Sequence, residues 1–398
     1  MATTHTKASR AAFALPVAWF LGIEFIDELV DGYLSAAWPA IKSDLHLSLT
    51  QIGLLAGVPR FLGNILEMPL GIMADLVPRW RLITAGGLAF SIALFLHGAA
   101  PGFAVLMVAF LLFNPASCAF VSISQASLMD MAPRQREVNM ARWSLAGTLG
   151  NLAGPLLLTA AVAIGVGWRP AFWLIAIFAI AAVVAILRTS RAFAASAKET
   201  TEAQLGMERF RLTEIVRSVW RQGAARWIIL LESSDLLLDV FRGFLALYMV
   251  EVAMTDNEYA ALTVMALTAG GLVGCALMVP LLKRFNGVSW LRISAGLLLL
   301  AFPAFLVTSL PPLKVALVVL IGLLTSGWYS VLKAGLYAQL PGRSGMAMAA
   351  GSIGGLVGAL IPIALGYIGD TFGLQTAMWL LLTAPVALLL GLPRPTRS

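Results

Sequence analysis

The spacing of its apolar runs constrains this chain more than any other feature. Stretches of about 20 mostly apolar residues, the length that crosses the hydrocarbon core of a bilayer as a helix, recur along the whole sequence. Clusters of Gly, Pro and charge separate them. The runs centre near residues 27, 63, 90, 115, 153 and 178, then 239, 269, 298, 325, 357 and 383. They are continuous rather than alternating at period two, so a transmembrane barrel is excluded. With 12% charged residues, against about 25% in soluble domains, the chain reads as an all-α membrane protein of twelve transmembrane helices.

The one long polar stretch, residues 188–226, falls between the sixth and seventh runs. Of the 27 Lys and Arg, only Lys42, Arg169 and Lys314 fall in loops opposite this linker, while Arg60, Arg242 and Lys333 fall within helices. The positive-inside rule then places both termini and the linker in the cytoplasm, in a bacterial-type inner membrane. MATTHTKASR at the start reads as a polar cytoplasmic tail with no signal-peptide cleavage site after it. The net charge of +7 is therefore topological, and no nucleic-acid partner is expected. Cys118 and Cys275 lie in apolar helices and read as packing residues.

The second six runs repeat the first. Aligning Pro69 with Pro280 and Arg81 with Arg292 gives an offset of 211, and aligning Pro133 with Pro341, Gly147 with Gly355 and Gly150 with Gly358 gives an offset of 208. Two parallel six-helix halves follow, 1–187 and 227–398 joined by the cytoplasmic linker 188–226, with a substrate site expected between them.

On these residues the chain resembles the major facilitator superfamily over nearly its whole length. Between the second and third helices, Gly71, Asp75 and Arg79 match the family's G-x-x-x-D-R-x-G-R-R/K motif, with Leu76, Pro78 and Trp80 departing from it. The resemblance implies a conformational gating role for these three. In the fifth helix GNLAGP supplies Gly150, Gly154 and Pro155, similar to the core of the family's antiporter motif; the terminal glycine pair is replaced by Leu158 and Thr159. Their small size allows close helix approach. Around the first, second and eleventh helices, DGYLSAAWPAIKSDLHLSLTQIGLL and YAQLPGRSGMAMAAGSIGGLVGALIPIALGYIGD resemble fosmidomycin-resistance-type drug/proton antiporters.

Independently of that resemblance, charge inside the first run needs explaining. Glu24, Asp27, Glu28 and Asp31 stand at i, i+3, i+4 and i+7, one stripe of a helix. At an offset of 208, Glu232, Asp235 and Asp239 repeat the spacing. The second helix adds Arg60, Asn64 and Glu67 on one face, with Arg60 at the depth of Asp31, which predicts an Asp31 to Arg60 ion pair. Arg242 follows Asp239 by three residues. The fourth and tenth helices add Gln125, Tyr329 and Lys333. Glu232 stands near enough to Arg226 to reach the cytoplasmic interface.

Eight intramembrane carboxylates (Glu24, Asp27, Glu28, Asp31, Glu67, Glu232, Asp235 and Asp239) face three cations. Five left over in lipid, at about 2.5 to 3.5 kcal/mol each, would cost on the order of 12 to 18 kcal/mol, as much as typical total stability. They must line water, bind cations or exchange protons. Glu24, Asp27, Glu28, Asp31, Asp235 and Asp239 are therefore the expected proton or cation coupling residues. Arg60, Asn64, Glu67, Glu232, Arg242, Gln125, Tyr329 and Lys333 are expected to line the substrate cavity. Trp38, Tyr33, Phe241, Phe244, Trp328 and Tyr329 are either pocket walls or packing residues, and His5, His46 and His97 read as solvated.

The function expected is proton-coupled export of a small amphipathic or cationic organic compound by alternating access, driven by a proton or ion gradient without a cofactor, in a monomer. Export of a divalent metal through Asp27, Asp31, Asp235 and Asp239 is the alternative, since oxygen ligands suit hard cations. A transporter-like sensor is the reading outside transport. No G-x-x-x-x-G-K-[ST] loop occurs for ATP, GYIGD lacks the G-x-G-D of intramembrane aspartyl proteases, and no enzyme is expected.

Overall fold

The computed structural model describes residues 2–131, 136–197, 223–281, 286–339, 351 and 354–393. Among the described residues every regular element is helical, and twelve rods follow one another. In the first six, α1 is Ala2–Leu45, α2 Leu49–Leu76 and α3 Arg79–Ala99. Helix α4 runs over Phe103–Ser117, a π-turn at Cys118–Ser122 and Ile123–Met131, followed by α5, Arg136–Ala163, and α6, Arg169–Ala197. In the second six, α7 runs over Ala224–Asp235, a π-turn at Leu236–Val240 and Phe241–Glu251. Helix α8 is Asn257–Leu281, α9 Gly287–Val307, and α10 is Pro311–Thr325 continued by Trp328–Gln339. Helices α11, Gly354–Phe372, and α12, Leu374–Gly391, complete the set.

Ten of the twelve are long and apolar enough to cross a membrane. The other two, α1 and α7, carry the acidic stripes. At about 1.5 Å per residue, the 44 residues of α1 exceed a bilayer core of about 30 Å twofold. The polar start expected as a tail is thus helical from Ala2.

The chain forms two compact units, Met1–Tyr33 with Ile65–Glu208, and Leu34–Asn64 with Arg209–Ser398. In the first, α3 packs on α4 and α6. Glycines bring α1 against α5: a Cβ at Gly150 would overlap the backbone of Phe25 and Leu29, and one at Gly154 the backbone of Gly32 and Tyr33. In the second, α8 packs on α10, and α12 on α7 and α9. Leu34–Asn64 belongs there because Cβ atoms at Gly53 and Gly57 of α2 would overlap the carbonyls of Pro362 and Ala359 on α11. Close backbone approach at glycines is thus present in both groupings.

The three cations expected opposite the linker are all held. Lys42 pairs with Glu251 at 2.6 Å. Arg169, first residue of α6, donates to the carbonyls of Gly98 and Ala100 at 3.2 and 2.6 Å and lies over the Trp168 ring. Lys314, 2% exposed, donates to the Phe305 carbonyl and the Tyr248 hydroxyl at 2.7 and 3.2 Å. In both latter cases a cation meets carbonyls at a helix C-terminus, the negative end of its dipole.

His97, expected to be solvated, is fully buried, with Nδ1 2.7 Å from the Ala93 carbonyl and rings of Phe110, Phe113 and Phe172 around it. Its place near a loop disguised the aromatic pocket built by three other positions. His46 is exposed, as expected, and His5 is outside the described side chains. Of the six aromatic residues weighed as pocket walls, Tyr33, Trp38, Phe241, Phe244 and Trp328 are buried packing residues and only Tyr329 is exposed.

Candidate functional site: two acidic helices

In the unit that holds the first part of α1, Glu24, Asp27 and Glu28 diverge rather than facing one way. Glu24 is 8% exposed and lies against Gly147 of α5, where an added Cβ would meet its Oε1, and the Trp143 side chain hydrogen-bonds it. Glu28, one turn further, accepts from the Asn151 amide of α5. Asp27 points to α4, where the Ser117 hydroxyl donates to its Oδ1 at 2.8 Å. Residues four apart share one edge of the stripe, and the one offset by three turns to the next helix.

In the other unit, Arg60 of α2 donates to Asp235 Oδ2 at 3.0 Å and stands 3.4 Å from Asp239 Oδ2. Arg242 approaches Asp239 Oδ1 at 3.3 Å, the expected i, i+3 pair. Arg60, expected to pair with Asp31 of α1, is held within its own unit by the acids of α7. Glu232, expected near the cytoplasmic interface, has its neighbours on α11. It lies against Gly354 and Gly358 of α11, and its Oε2, like Nδ2 of Asn64 beside Gly355, is buried without a hydrogen-bond partner among the described residues. Such atoms in a polar site call for a partner supplied from elsewhere.

The repeat shows in this chemistry. In each repeat an acid of the first helix is seated on the glycine face of the fifth, Glu24 on Gly147 and its counterpart Glu232 on Gly354 and Gly358, which flank Gly355, the counterpart of Gly147. Both π-turns touch the acids as well: one starts directly after Ser117, the other occupies the turn from Asp235 to Asp239. Wider i→i+5 turns are uncommon and concentrate at functional positions. At an offset of 208 from the π-turn in α4, α10 is broken by Gly327 at φ 77°. Thus the fourth helix of each repeat is irregular at the same place.

Other expected site residues are more dispersed. Lys333 donates to the Tyr329 hydroxyl one turn away and stacks on its ring. Gln125 faces the Met140 sulfur at 3.8 Å, and Glu67 is exposed. Pro155 is buried beside Gly154 in α5. Arg79 opens α3, whereas the side chains of Gly71 and Asp75 lie outside the described residues. Ser117, Trp143 and Asn151 were missed by sequence reasoning. Asn151 had a signal, being the polar residue inside GNLAGP, on the glycine face that meets α1. Ser117, one turn after Asn114, gave none that separates it from ordinary helix-packing serines.

Among the described residues no three His, Cys, Asp or Glu side chains converge as a metal-holding group. Asp235 and Asp239 are already bridged by a cation of the protein itself.

Acids and bases among ten helices long and apolar enough to cross a membrane are the features of a polytopic membrane protein. The sequence model of the Major Facilitator Superfamily matches residues 20–355, and the chain belongs to that family. No curated protein gives a significant sequence match. Solved structures with the same fold include a bacterial homolog of the human lysosomal transporter Spinster in an inward-facing, unoccupied conformation, with a TM-score of 0.71 at 17% identity over 96% of each chain. The inward-facing, occupied form of that homolog gives 0.69 at the same identity and coverage. The nucleoside transporter NupG gives 0.73 at 14% identity over 94% of this chain and 97% of its own.

Proposed function

We propose that the protein is a proton-coupled secondary exporter of a small amphipathic or cationic organic compound, working by alternating access between two six-helix halves, 1–187 and 227–398, with the linker 188–226 and both termini in the cytoplasm of a bacterial-type inner membrane. The observation that carries this reading is the charge arrangement on α7: two carboxylates within 3.4 Å of one guanidinium, the first and third of these side chains only 17% and 32% exposed for Asp235 and Arg60. A protein cation already seated between acids is a group that an incoming proton or substrate cation can displace. Glu24, Asp27 and Glu28 of α1, held by the neutral donors Trp143, Ser117 and Asn151, supply the second place where positive charge is accepted.

The fosmidomycin-resistance-type resemblance and the glycine face of α5 support export over import. Divalent-metal export is the weaker reading, because Arg60 and Arg242 occupy the approach to Asp235 and Asp239. The chain is expected to act as a monomer.

The test is a proteoliposome screen of drugs, amphipathic cations and divalent metals under an imposed pH gradient, run for the parent, Asp27→Asn and Asp235→Asn. Gradient-dependent flux of an organic cation, lost or made insensitive to pH in either variant, is the result expected. Flux that ignores the gradient removes the coupling; binding without any flux favours a sensor; saturable metal flux favours the alternative.

A further inference from the structure

The first backbone N–H groups of a helix have no partners within it, and at α2 they are satisfied by two different parts of the chain. Ser48 and Gln51 form a reciprocal box, Gln51 N–H to Ser48 Oγ at 3.1 Å and Ser48 N–H to Gln51 Oε1 at 2.9 Å, a local device that ends there. The N–H groups of Leu49 and Thr50 donate instead to the two carboxylate oxygens of Asp370, at 2.9 and 2.7 Å, and the Thr50 hydroxyl adds a third bond at 2.5 Å. Asp370 lies in the last turn of α11. The anion at the positive end of α2 is thus lent by a helix of the other repeat.

The internal repeat provides the comparison. Ser48 corresponds at an offset of 208 to Asp256, and Gln51 to Tyr259. There the Tyr259 N–H donates to Asp256 Oδ1 at 2.7 Å, so α8 carries its own anion. Asp370 itself corresponds to Val162, which can accept nothing. Helix stability alone would be served by an Asp at position 48, as it is at position 256. Placing the acid on α11 adds a link between helices, and the backbones of α2 and α11 run in contact behind it through Gly53, Gly57 and Gly366. Asp370 is exposed, so water can replace its three bonds when the helices part, and the Lys42 to Glu251 pair ties the last turn of α1 to that of α7 alongside.

We propose that Asp370 is a positioning residue of the transport cycle: its carboxylate latches the N-terminus of α2 to α11 and holds closed the end of the pathway at the α1–α2 turn, and it lets go when that end opens. This rests on the alternating-access reading above.

The experiment follows labelling of a reporter cysteine at Ile52, 1% exposed beneath the latch, by a membrane-impermeant maleimide in right-side-out vesicles, in a background with Cys118→Ser and Cys275→Ser. Asp370→Ala is expected to label at least about fivefold faster than the parent, and Asp370→Glu near the parent rate. Combining Asp370→Ala with Ser48→Asp returns to α2 an anion of its own; melting temperature should recover while labelling stays fast. If labelling falls back together with melting temperature, or if Asp370→Ala melts lower but labels at the parent rate, the residue is only a helix cap and the latch is overturned. None of these readouts needs a substrate or a proton gradient, so a negative flux screen sinks the proposed function and leaves this result standing.

Discussion

Arg60 Nη2 lies 3.0 Å from Asp235 and 3.4 Å from Asp239, so a single guanidinium on α2 straddles two acids of α7, one just before its π-turn and one within it. The pair is neither a surface salt bridge nor a fully desolvated one, with side-chain exposures of 32%, 17% and 42%. Its worth falls between the small value of exposed pairs and the larger cost of breaking buried ones.

Arg60→Met should therefore lower stability by about 1 to 3 kcal/mol, read as a fall in melting temperature in detergent. Adding Asp235→Asn removes one of the orphaned charges and should restore at least half of the loss, a coupling that a double-mutant cycle isolates. Single and double variants that melt alike would mean that the guanidinium does not compensate these acids.

Gly154→Ala places a methyl group on the backbone of Tyr33 and Gly32. Backbone cannot swing aside as a side chain can, and about 1 to 3 kcal/mol of destabilisation is expected from overpacking. At Gly22 nothing lies within 4 Å of an added Cβ. Gly22→Ala should be neutral or stabilising, by up to about 1 kcal/mol of helix propensity. Equal melting temperatures for the two variants would contradict the close approach of α1 and α5.

Ser117→Ala and Asn151→Ala each remove one hydrogen bond to a carboxylate, an interaction worth about 1.5 to 3 kcal/mol. Initial flux against a fixed pH gradient should change several-fold in both. Asn114→Ala is the internal reference, because among the described residues that amide bonds the Phe110 carbonyl of its own helix, at 3.3 Å, and no carboxylate. If all three variants behave alike, the bonds to Asp27 and Glu28 are packing contacts without a part in coupling.

Lys314→Met keeps the length of a buried side chain and removes its charge. The carbonyl of Phe305 and the hydroxyl of Tyr248 lose a donor, and a loss of about 1 to 3 kcal/mol is expected. In Tyr248→Phe the same substitution should cost less, since one of its partners is already gone. Thermal unfolding of the four proteins checks this, and additive losses would argue against a direct bond.

Much of the fold is legible in the sequence, because membrane helices must satisfy their own backbone and so announce themselves as apolar runs. The repeat is legible for a related reason: the spacing of Glu24, Asp27 and Asp31 returns in α7, and the glycines at 147 and 150 return in α11. Partner choice was not. Arg60 could be assigned a depth from helical rise, yet whether it meets α1 or α7 depends on which face of α2 the glycines at 53 and 57 press against α11. Ser117 and Asp370 escaped for the same reason: a hydrogen bond across 90 or 320 positions leaves no trace in local spacing. His97 was misjudged because a polar residue near a loop looks wet until the rings that enclose it are known.

The π-turn in α7 holds one residue more than an α-turn would, so the rods on its two sides are out of step by roughly 100°. A wheel drawn from Ala224 to Asp235 therefore cannot be continued to Glu251. Substitutions within Leu236–Val240 leave the aim of the following segment alone, whereas deletion of a single residue would rewind the turn and sweep Arg242, Phe244 and everything up to Glu251 around the axis together. Residue count there is constrained as tightly as residue identity is at Asp235.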